Sequence, residues 1–282
     1  MNHPAELSIH SFLQKAIKGE TNVSMDIINK VCDDVRDALV KQFNSGVRGD
    51  FKLRMSNIGR PKCILWFEKN DPVGKRPYPP HFLMNMILGD LVEAVFKGIL
   101  RASHVEFGDN ETVTLDLDGR KIKGEYDMVM DGKVDDVKST TPYGYDNKFT
   151  SYGALKATDN FGYVSQLVGY AKAADKEIGG WWVINKQNGA YKYVSAENAD
   201  MELEINNIKD TISYIDNDEP FERCYQPIKE TFSRKETGNL ILDKNTCGWC
   251  DFKHKCWPEM QTKKQIASSA KNPPIVDYIK II

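Results

Sequence analysis

The sequence contains 282 residues, of which 41% are hydrophobic and 28% are charged, and its formal net charge is −2. This composition is typical of a soluble globular protein with a sizeable core. The total charge does not indicate nucleic-acid binding, which would have to depend on local basic patches. Because the first residues lack an apolar signal segment and no stretch is apolar enough to span a membrane, we expect a cytoplasmic protein without a membrane partner.

Apolar periodicity and turn residues predict these elements in chain order: a helix over 24–43, a turn leading into a short element over 54–70, a helix over 79–100, strands over 112–117, 121–130 and 133–139, a long loop over 140–160, a helix over 160–176 with Asn160 as its N-cap, a hairpin around 187–189 and a helix over 196–215. The chain after 215 is predicted to be irregular up to a cluster of cysteines. This order predicts an α/β fold with a mixed central sheet flanked by helices.

The third predicted strand carries two acids and a lysine in "VDDVKST", residues 134–140. A two-residue hairpin turn before it puts Asp127 opposite Asp136 on one sheet face. Like charges so placed destabilise a sheet unless a hard cation such as Mg²⁺ or Mn²⁺ offsets them. Lys138 lies two residues beyond Asp136 and therefore points to the same face. The alternative interpretation is a solvated sheet edge with an ordinary Lys–Asp pair.

Three short patterns in this region resemble the PD-(D/E)XK nuclease superfamily, specifically its RecB-like branch, over residues 54–257. The matching residues are Gly124 with Asp127, Asp136 with Lys138, and Gln166 with Tyr170. The resemblance implies an αβββαβ core in which Asp127, Asp136 and the main-chain carbonyl of Val137 hold Mg²⁺ or Mn²⁺. It also implies that Lys138 positions or activates the attacking water.

The same resemblance assigns roles to residues on two helices. Glu93, four residues after Gly89, stands where relatives often carry a metal-binding histidine, and the alternative is a surface residue of an amphipathic helix. Gln166 and Tyr170 share a helix face because they are four residues apart, and the resemblance implies that they hold DNA or the surroundings of the lysine. The alternative is a packed tyrosine beside a surface glutamine.

The cysteines form a second pattern, Cys247-x₂-Cys250-x₅-Cys256. Three thiols so close together in a cytosolic protein are typical of a zinc or iron–sulfur site. Both need a fourth ligand, which could be His254 or a distant cysteine, and the distant candidates are Cys63 and Cys224.

Resemblance to the iron–sulfur nucleases of the RecB-like branch, which include CRISPR-associated exonucleases and the AddB subunit, implies that Cys63 completes a [4Fe–4S] cluster. The cluster would join the C-terminal segment to the N-terminal part as a structural pin. Zinc or reduced buried thiols are the alternatives. Cys32 and Cys224 are predicted to be core or surface residues.

Basic and aromatic residues indicate where DNA would be held. Single-stranded DNA is bound by phosphate pairing and base stacking. The predicted contacts are Arg60, Lys62, Tyr145, Lys148 and Lys156. The alternative is a solvated, glycine-rich lid without a ligand.

We therefore expect a metal-dependent DNA exonuclease that hydrolyses phosphodiester bonds from single-stranded or exposed ends. The alternatives are an endonuclease on the same core and a non-catalytic DNA-binding module with a structural zinc or iron–sulfur site. The sequence contains no P-loop pattern, so the enzyme would work alone or with a separate helicase, recombinase or other repair or replication partner. The predicted segments are 1–53 (helical), 54–215 (nuclease core), 216–260 (iron–sulfur segment) and 261–282 (tail).

Overall fold

The computed structural model describes residues 3–44, 51–73 and 79–282. The helices in this part of the chain are Ala5–Ile17 (α1), Met25–Asn44 (α2), Lys62–Asn70 (α3), Pro80–Ala102 (α4), Pro142–Asp146 (α5), Tyr152–Ala157 (α6), Tyr163–Ala174 (α7), Met201–Asp216 (α8) and Lys253–Cys256 (α9). The strands are Glu111–Leu117 (β1), Arg120–Tyr126 (β2), Met128–Met130 (β3), Lys133–Thr140 (β4), Glu177–Asn185 (β5), Tyr191–Ser195 (β6), Ile228–Phe232 (β7), Lys235–Ile241 (β8), Gln261–Lys264 (β9) and Ile275–Lys280 (β10). Together they make a mixed α/β protein, and none of the helices described is long and apolar enough to cross a membrane.

Contacts divide the chain into two compact units. The first unit contains Met1–Gly59 and Tyr78–Asp210, and the second contains Arg60–Pro77 and Thr211–Ile282. In the sequence, the two segments of the second unit therefore lie before and after residues 78–210 of the first unit.

The first unit is organised around the four-stranded sheet β3-β4-β5-β6, beside a separate β1-β2 hairpin. β4 runs parallel to β5 and antiparallel to β3, so it is an inner strand. Its residues 134–137 are consequently all buried. The sheet packs on α1 and α4 through a core of buried apolar residues: Ala5, Ile9, Phe96, Leu100, Met128, Met130, Val137, Trp182, Ile184 and Tyr193.

Three predictions for the first unit are wrong in detail. The predicted strand 121–130 is two strands, because the extended strand is interrupted at Asp127, between β2 and β3. The predicted loop 140–160 contains α5, α6 and a 3₁₀ turn at 148–150, whose helical turns are too short to produce a visible apolar period. Helix α7 begins at Tyr163 with Gly162 rather than Asn160 as its N-cap, and Asp159 accepts hydrogen bonds from the Gly162 and Val164 N–H groups. Helix α1 lies in the segment 1–53 that was predicted to be helical, but its own bounds were not predicted.

The second unit contains the antiparallel sheet β7-β8-β10-β9 and the cysteine-rich segment. Strands β7 and β8 lie in the stretch that was predicted to be irregular, and they form a hairpin whose turn residues Ser233 and Arg234 have positive φ angles. The predicted tail, 261–282, contains both β9 and β10, and β10 is paired with both β8 and β9. The core of this unit is Phe67, Leu242, Phe252, Cys256 and Trp257.

Candidate functional site

Strand β4 carries two consecutive acids that are both almost fully buried, Asp135 at 1% and Asp136 at 3% exposure. Successive side chains on a strand point to opposite faces, so the two acids have different surroundings. Asp135 accepts hydrogen bonds from the Gly180 N–H at 2.7 Å and the Tyr193 hydroxyl at 2.8 Å. Burial raises the pKa of Asp135 to about 7 against these hydrogen bonds. Asp135 therefore holds β4, β5 and β6 together and is a structural acid.

Asp136 lies on the other face with Lys138, as the strand alternation predicts. Lys138 Nζ is 2.5 Å from Asp136 Oδ2. Burial raises the pKa of Asp136 above its ordinary range, and the nearby charge of Asp127 adds to this effect against the influence of Lys138. Burial alone would lower the pKa of Lys138, but Asp136 and Asp127 raise it. The ammonium group is therefore held charged inside an acidic site.

Asp127 lies between β2 and β3 and approaches Asp136 and Lys138 from there. The predicted register is confirmed as far as the Met128–Asp135 pair, and Asp127 is the next residue outside the paired strand. Its Oδ2 accepts a hydrogen bond from the Val137 N–H at 2.7 Å. This bond fixes the Asp127 carboxylate against the β4 backbone, beside Asp136.

Glu93 comes to the site from helix α4. Its Oε1 is 2.6 Å from Lys97 Nζ one turn further along, and Lys97 is only 4% exposed. Burial and the Asp127 charge raise the pKa of Glu93 to about 7, and Lys97 opposes them. The sequence interpretation missed Lys97, although its (i, i+4) spacing from Glu93 was the signal that could have identified it.

We call Glu93, Asp127, Asp136 and Lys138 the carboxylate site. Within the residues that the structure describes, no three His, Cys, Asp or Glu side chains are grouped closely enough to coordinate one ion. Two of the carboxylates instead contact ammonium groups, Glu93 that of Lys97 and Asp136 that of Lys138. The donor set nevertheless fits a hard cation, because the Asp127 charge raises the pKa of both Glu93 and Asp136 and carboxylate oxygens are the ligands that Mg²⁺ and Mn²⁺ prefer.

Gln166 and Tyr170 form a hydrogen-bonded pair next to the carboxylate site. Gln166 Nε2 donates to the Tyr170 hydroxyl at 3.2 Å. Burial raises the pKa of Tyr170 to about 12, and the charges of Asp136 and Asp127 also raise it while Gln166 lowers it. The electrostatic influence of both acids indicates that the tyrosine hydroxyl lies near them.

Gly124 gives Tyr170 the room to approach. A Cβ at Gly124 would lie 2.3 Å from Met55 Cβ and 2.7 Å from Tyr170 Cε1. We therefore expect Gly124→Ala to lower the free energy of unfolding by about 1–3 kcal/mol, as overpacked cores do. The matched control is Gly153→Ala in helix α6, where the nearest atom would be Ser151 Oγ at 3.9 Å. Denaturant unfolding should show a loss for Gly124→Ala and no loss for Gly153→Ala, and equal stability of the two variants would contradict the packing argument.

Two of the predicted DNA contacts lie among aromatic rings of the first unit. Lys148 Nζ is 4.5 Å from the centroid of the Tyr163 ring, and Lys138 Nζ is 5.2 Å from the same centroid. Lys148 and Lys138, the lysine of the carboxylate site, therefore contact the same Tyr163 ring. Tyr145 contacts Lys192, whose Nζ lies 3.9 Å from the tyrosine ring centroid.

The other predicted DNA contacts have protein partners. Lys156 forms an ion pair with Glu204 at 3.1 Å in the first unit. Arg60 belongs to the second unit, where its Nη1 is 3.6 Å from Glu68 Oε1. Lys62, also in the second unit, lies with Nζ 5.4 Å from a tyrosine ring centroid. Glu204 and Glu68 thus partly neutralise Lys156 and Arg60, whereas the ring contact of Lys62 leaves its charge in place.

The three C-terminal cysteines lie in the core of the second unit. Cys256 is a member of the buried cluster with Phe252 and Trp257, and Cys247 and Cys250 pack against it. Burial raises the pKa of both Cys250 and Cys256 to about 11, and the charge of Cys247 raises each of them further. The three thiols thus pack on one apolar core, and thiolates are the ligands that an iron–sulfur cluster or a zinc site would use there.

Cys63 and Cys224 form a contact that the sequence interpretation did not predict. The Cys63 N–H donates a hydrogen bond to Cys224 Sγ at 3.1 Å. The interaction with Cys224 and burial raise the pKa of Cys63, and the charge of Cys250 also acts on it. The same interaction lowers the pKa of Cys224 to about 7. No spacing rule joins positions so far apart in the sequence, so only the fold could identify Cys224 as a neighbour of the predicted ligand.

No family model matches this sequence, and no curated protein matches it. Among solved structures the chain is similar to the crystal structure of SSO0001, with 15% sequence identity and a TM-score of 0.41 over 82% of this chain and 96% of that one.

Proposed function

We propose that this protein is a divalent-metal-dependent nuclease with a PD-(D/E)XK core that hydrolyses phosphodiester bonds in DNA. The observation that carries the proposal is the convergence of three acids and one lysine from separate elements. Glu93 comes from α4, Asp127 from the break after β2, and Asp136 and Lys138 from β4. The element order α4, β1, β2 with β3, β4, α7, β5 supports the proposal because it agrees with the αβββαβ order of that core.

In this proposal the carboxylates of Glu93, Asp127 and Asp136 hold Mg²⁺ or Mn²⁺ with the main-chain carbonyl of Val137. The cation would polarise the phosphate and lower the pKa of a bound water. Lys138 would position that water and stabilise negative charge developing on the phosphate. The Gln166–Tyr170 hydrogen bond would keep the helix α7 side of the site polar and ordered.

The substrate we propose is single-stranded DNA with a free end. Incubation of the protein with Mn²⁺ should shorten linear single-stranded DNA and leave a closed circular single strand of the same sequence intact. EDTA should abolish the reaction, and a heat-denatured sample is the control. Cleavage of the circle would make the enzyme an endonuclease, and failure to cut either strand would refute the nuclease proposal.

We propose further that the second unit binds a structural [4Fe–4S] cluster through Cys63, Cys247, Cys250 and Cys256, and we treat zinc as the alternative occupant. The proposal is supported by the location of all four residues in that unit and by the packing of the last three around one apolar core. The N–H···S contact between Cys63 and Cys224 makes Cys224 the rival for the fourth position.

A further inference from the structure

Three aromatic rings form a column beside the carboxylate site. Phe149 is 3% exposed and lies at its buried end, with its ring centroid 5.9 Å from that of Tyr163. Tyr163 and Phe161 are stacked, with centroids 5.6 Å apart and planes inclined by 13°. Phe161 is 56% exposed. The column therefore ends at a large phenylalanine surface that is open to solvent.

The backbone around this aromatic column is held in place. Asp159 Oδ1 accepts a hydrogen bond from the Gly162 N–H at 3.0 Å, and its Oδ2 accepts one from the Val164 N–H at 2.9 Å. Gly162 has φ +77°, and a Cβ there would lie 2.4 Å from Gly59 Cα. Only glycine fits this position. Phe161 and Tyr163 are thus presented on either side of a tightly fixed turn.

Two cations border the aromatic column. Lys148 Nζ lies 4.5 Å from the Tyr163 centroid and 5.0 Å from the Phe161 centroid. Lys138, the lysine of the carboxylate site, lies 5.2 Å from the Tyr163 centroid. Asp159 Oδ1 is 4.0 Å from Lys148 Nζ, so one acid borders the same region. Positive charge and flat aromatic surface therefore continue from the carboxylate site to solvent.

We propose that the exposed face of Phe161 is a stacking subsite for the base of an unpaired nucleotide, with Lys148 beside a phosphate of the same strand. Aromatic rings next to basic groups bind single strands in this way, because every base has a π-face and every nucleotide a phosphate. A base within a duplex is already stacked on both sides, so this subsite selects unpaired nucleotides. The inference rests on the proposed nuclease function, for which it names the substrate class at the site.

The test measures binding of a fluorescein-labelled oligothymidylate by anisotropy in EDTA, so that no strand is cut. Phe161→Ala should weaken binding by about tenfold or more, the effect of losing one base–aromatic stack. Phe161→Trp, which retains a flat ring, should bind like the wild type. The matched control is Phe43→Ala on α2, which removes a phenylalanine of similar exposure, 66%. It should leave binding unchanged.

A second probe, a strand of the same length and label made of abasic sugar-phosphate units, separates stacking from charge. Phe161→Ala should hardly change its binding. Equal affinity of Phe161→Ala and wild type for oligothymidylate overturns the subsite, as does equal weakening with the abasic strand. The outcome is independent of the nuclease test: a protein that fails to cut DNA in Mn²⁺ yet shows the base-dependent Phe161 effect would retain the subsite and lose the proposed catalytic function.

Discussion

Asp136→Asn is expected to lower the rate of Mn²⁺-dependent cleavage of linear single-stranded DNA by at least about 100-fold. A neutral amide is a poor ligand for a hard cation, and metal activation of water and phosphate contributes several kcal/mol to such a reaction. The rate of product formation at saturating Mn²⁺, measured under single-turnover conditions, provides the test. Cleavage at the wild-type rate would remove Asp136 from the proposed site.

The adjacent acid supplies the control. Asp135→Asn keeps an oxygen that can accept from Gly180 and Tyr193, and it removes a buried carboxylate whose pKa burial raises to about 7. We expect it to cut DNA at close to the wild-type rate. If both variants fold normally and both lose activity, Asp135 is not a purely structural acid and the two faces of β4 do not separate structure from catalysis.

Asp136→Asn could lose activity through misfolding, because it leaves the buried ammonium group of Lys138 without its carboxylate partner. A second variant separates this effect from the loss of a metal ligand. Asp127→Asn retains an oxygen that can accept the hydrogen bond from the Val137 N–H. It should therefore fold normally and still lose cleavage, since it removes another proposed carboxylate ligand. Circular dichroism and the thermal midpoint of each variant establish that the folded proteins are compared.

Cys250→Ser is expected to abolish iron binding and to destabilise the second unit. Thiolates are the usual ligands of iron–sulfur clusters, and a serine hydroxyl is a poor substitute. A cluster that joins Cys63 to Cys247 closes a loop containing most of the first unit, and a crosslink over such a length contributes about 5 kcal/mol in the chain-entropy model. Iron and acid-labile sulfide per chain, visible absorption and thermal unfolding are the measurements.

The remaining cysteines distinguish the ligands from their neighbours. Cys32→Ser should keep wild-type iron, because Cys32 lies on helix α2 of the first unit. Cys63→Ser should lose iron, and Cys224→Ser should retain it. The reverse result would move the fourth ligand to Cys224, whose sulfur contacts Cys63. Zinc in place of iron and sulfide in the wild-type protein would refute the cluster and favour the alternative occupant.

Local sequence features predicted the β4 region well. The turn at Asp131-Gly132 set the register as far as the Met128–Asp135 pair, because a two-residue hairpin turn leaves few alternatives. The strong apolar stripe of α4 also predicted that helix to within two residues. Where apolar periodicity was weak the predictions were wrong: the short helices between 142 and 157 and the hairpin of β7 and β8 are held by contacts that no local pattern records.

The sequence by itself determined that Asp136 and Lys138 share one side of a strand, because side-chain alternation is a local property of the backbone. The hairpin register assigned Asp136 rather than Asp135 to that side. The sequence could not determine that Asp135 holds three strands together, since the hydrogen-bond donors to Asp135 come from β5 and β6. Only the tertiary structure brought Lys148 to the Phe161–Tyr163 pair and Cys224 to Cys63. Those contacts depend on how separate elements pack, and no residue spacing in the sequence predicts that packing.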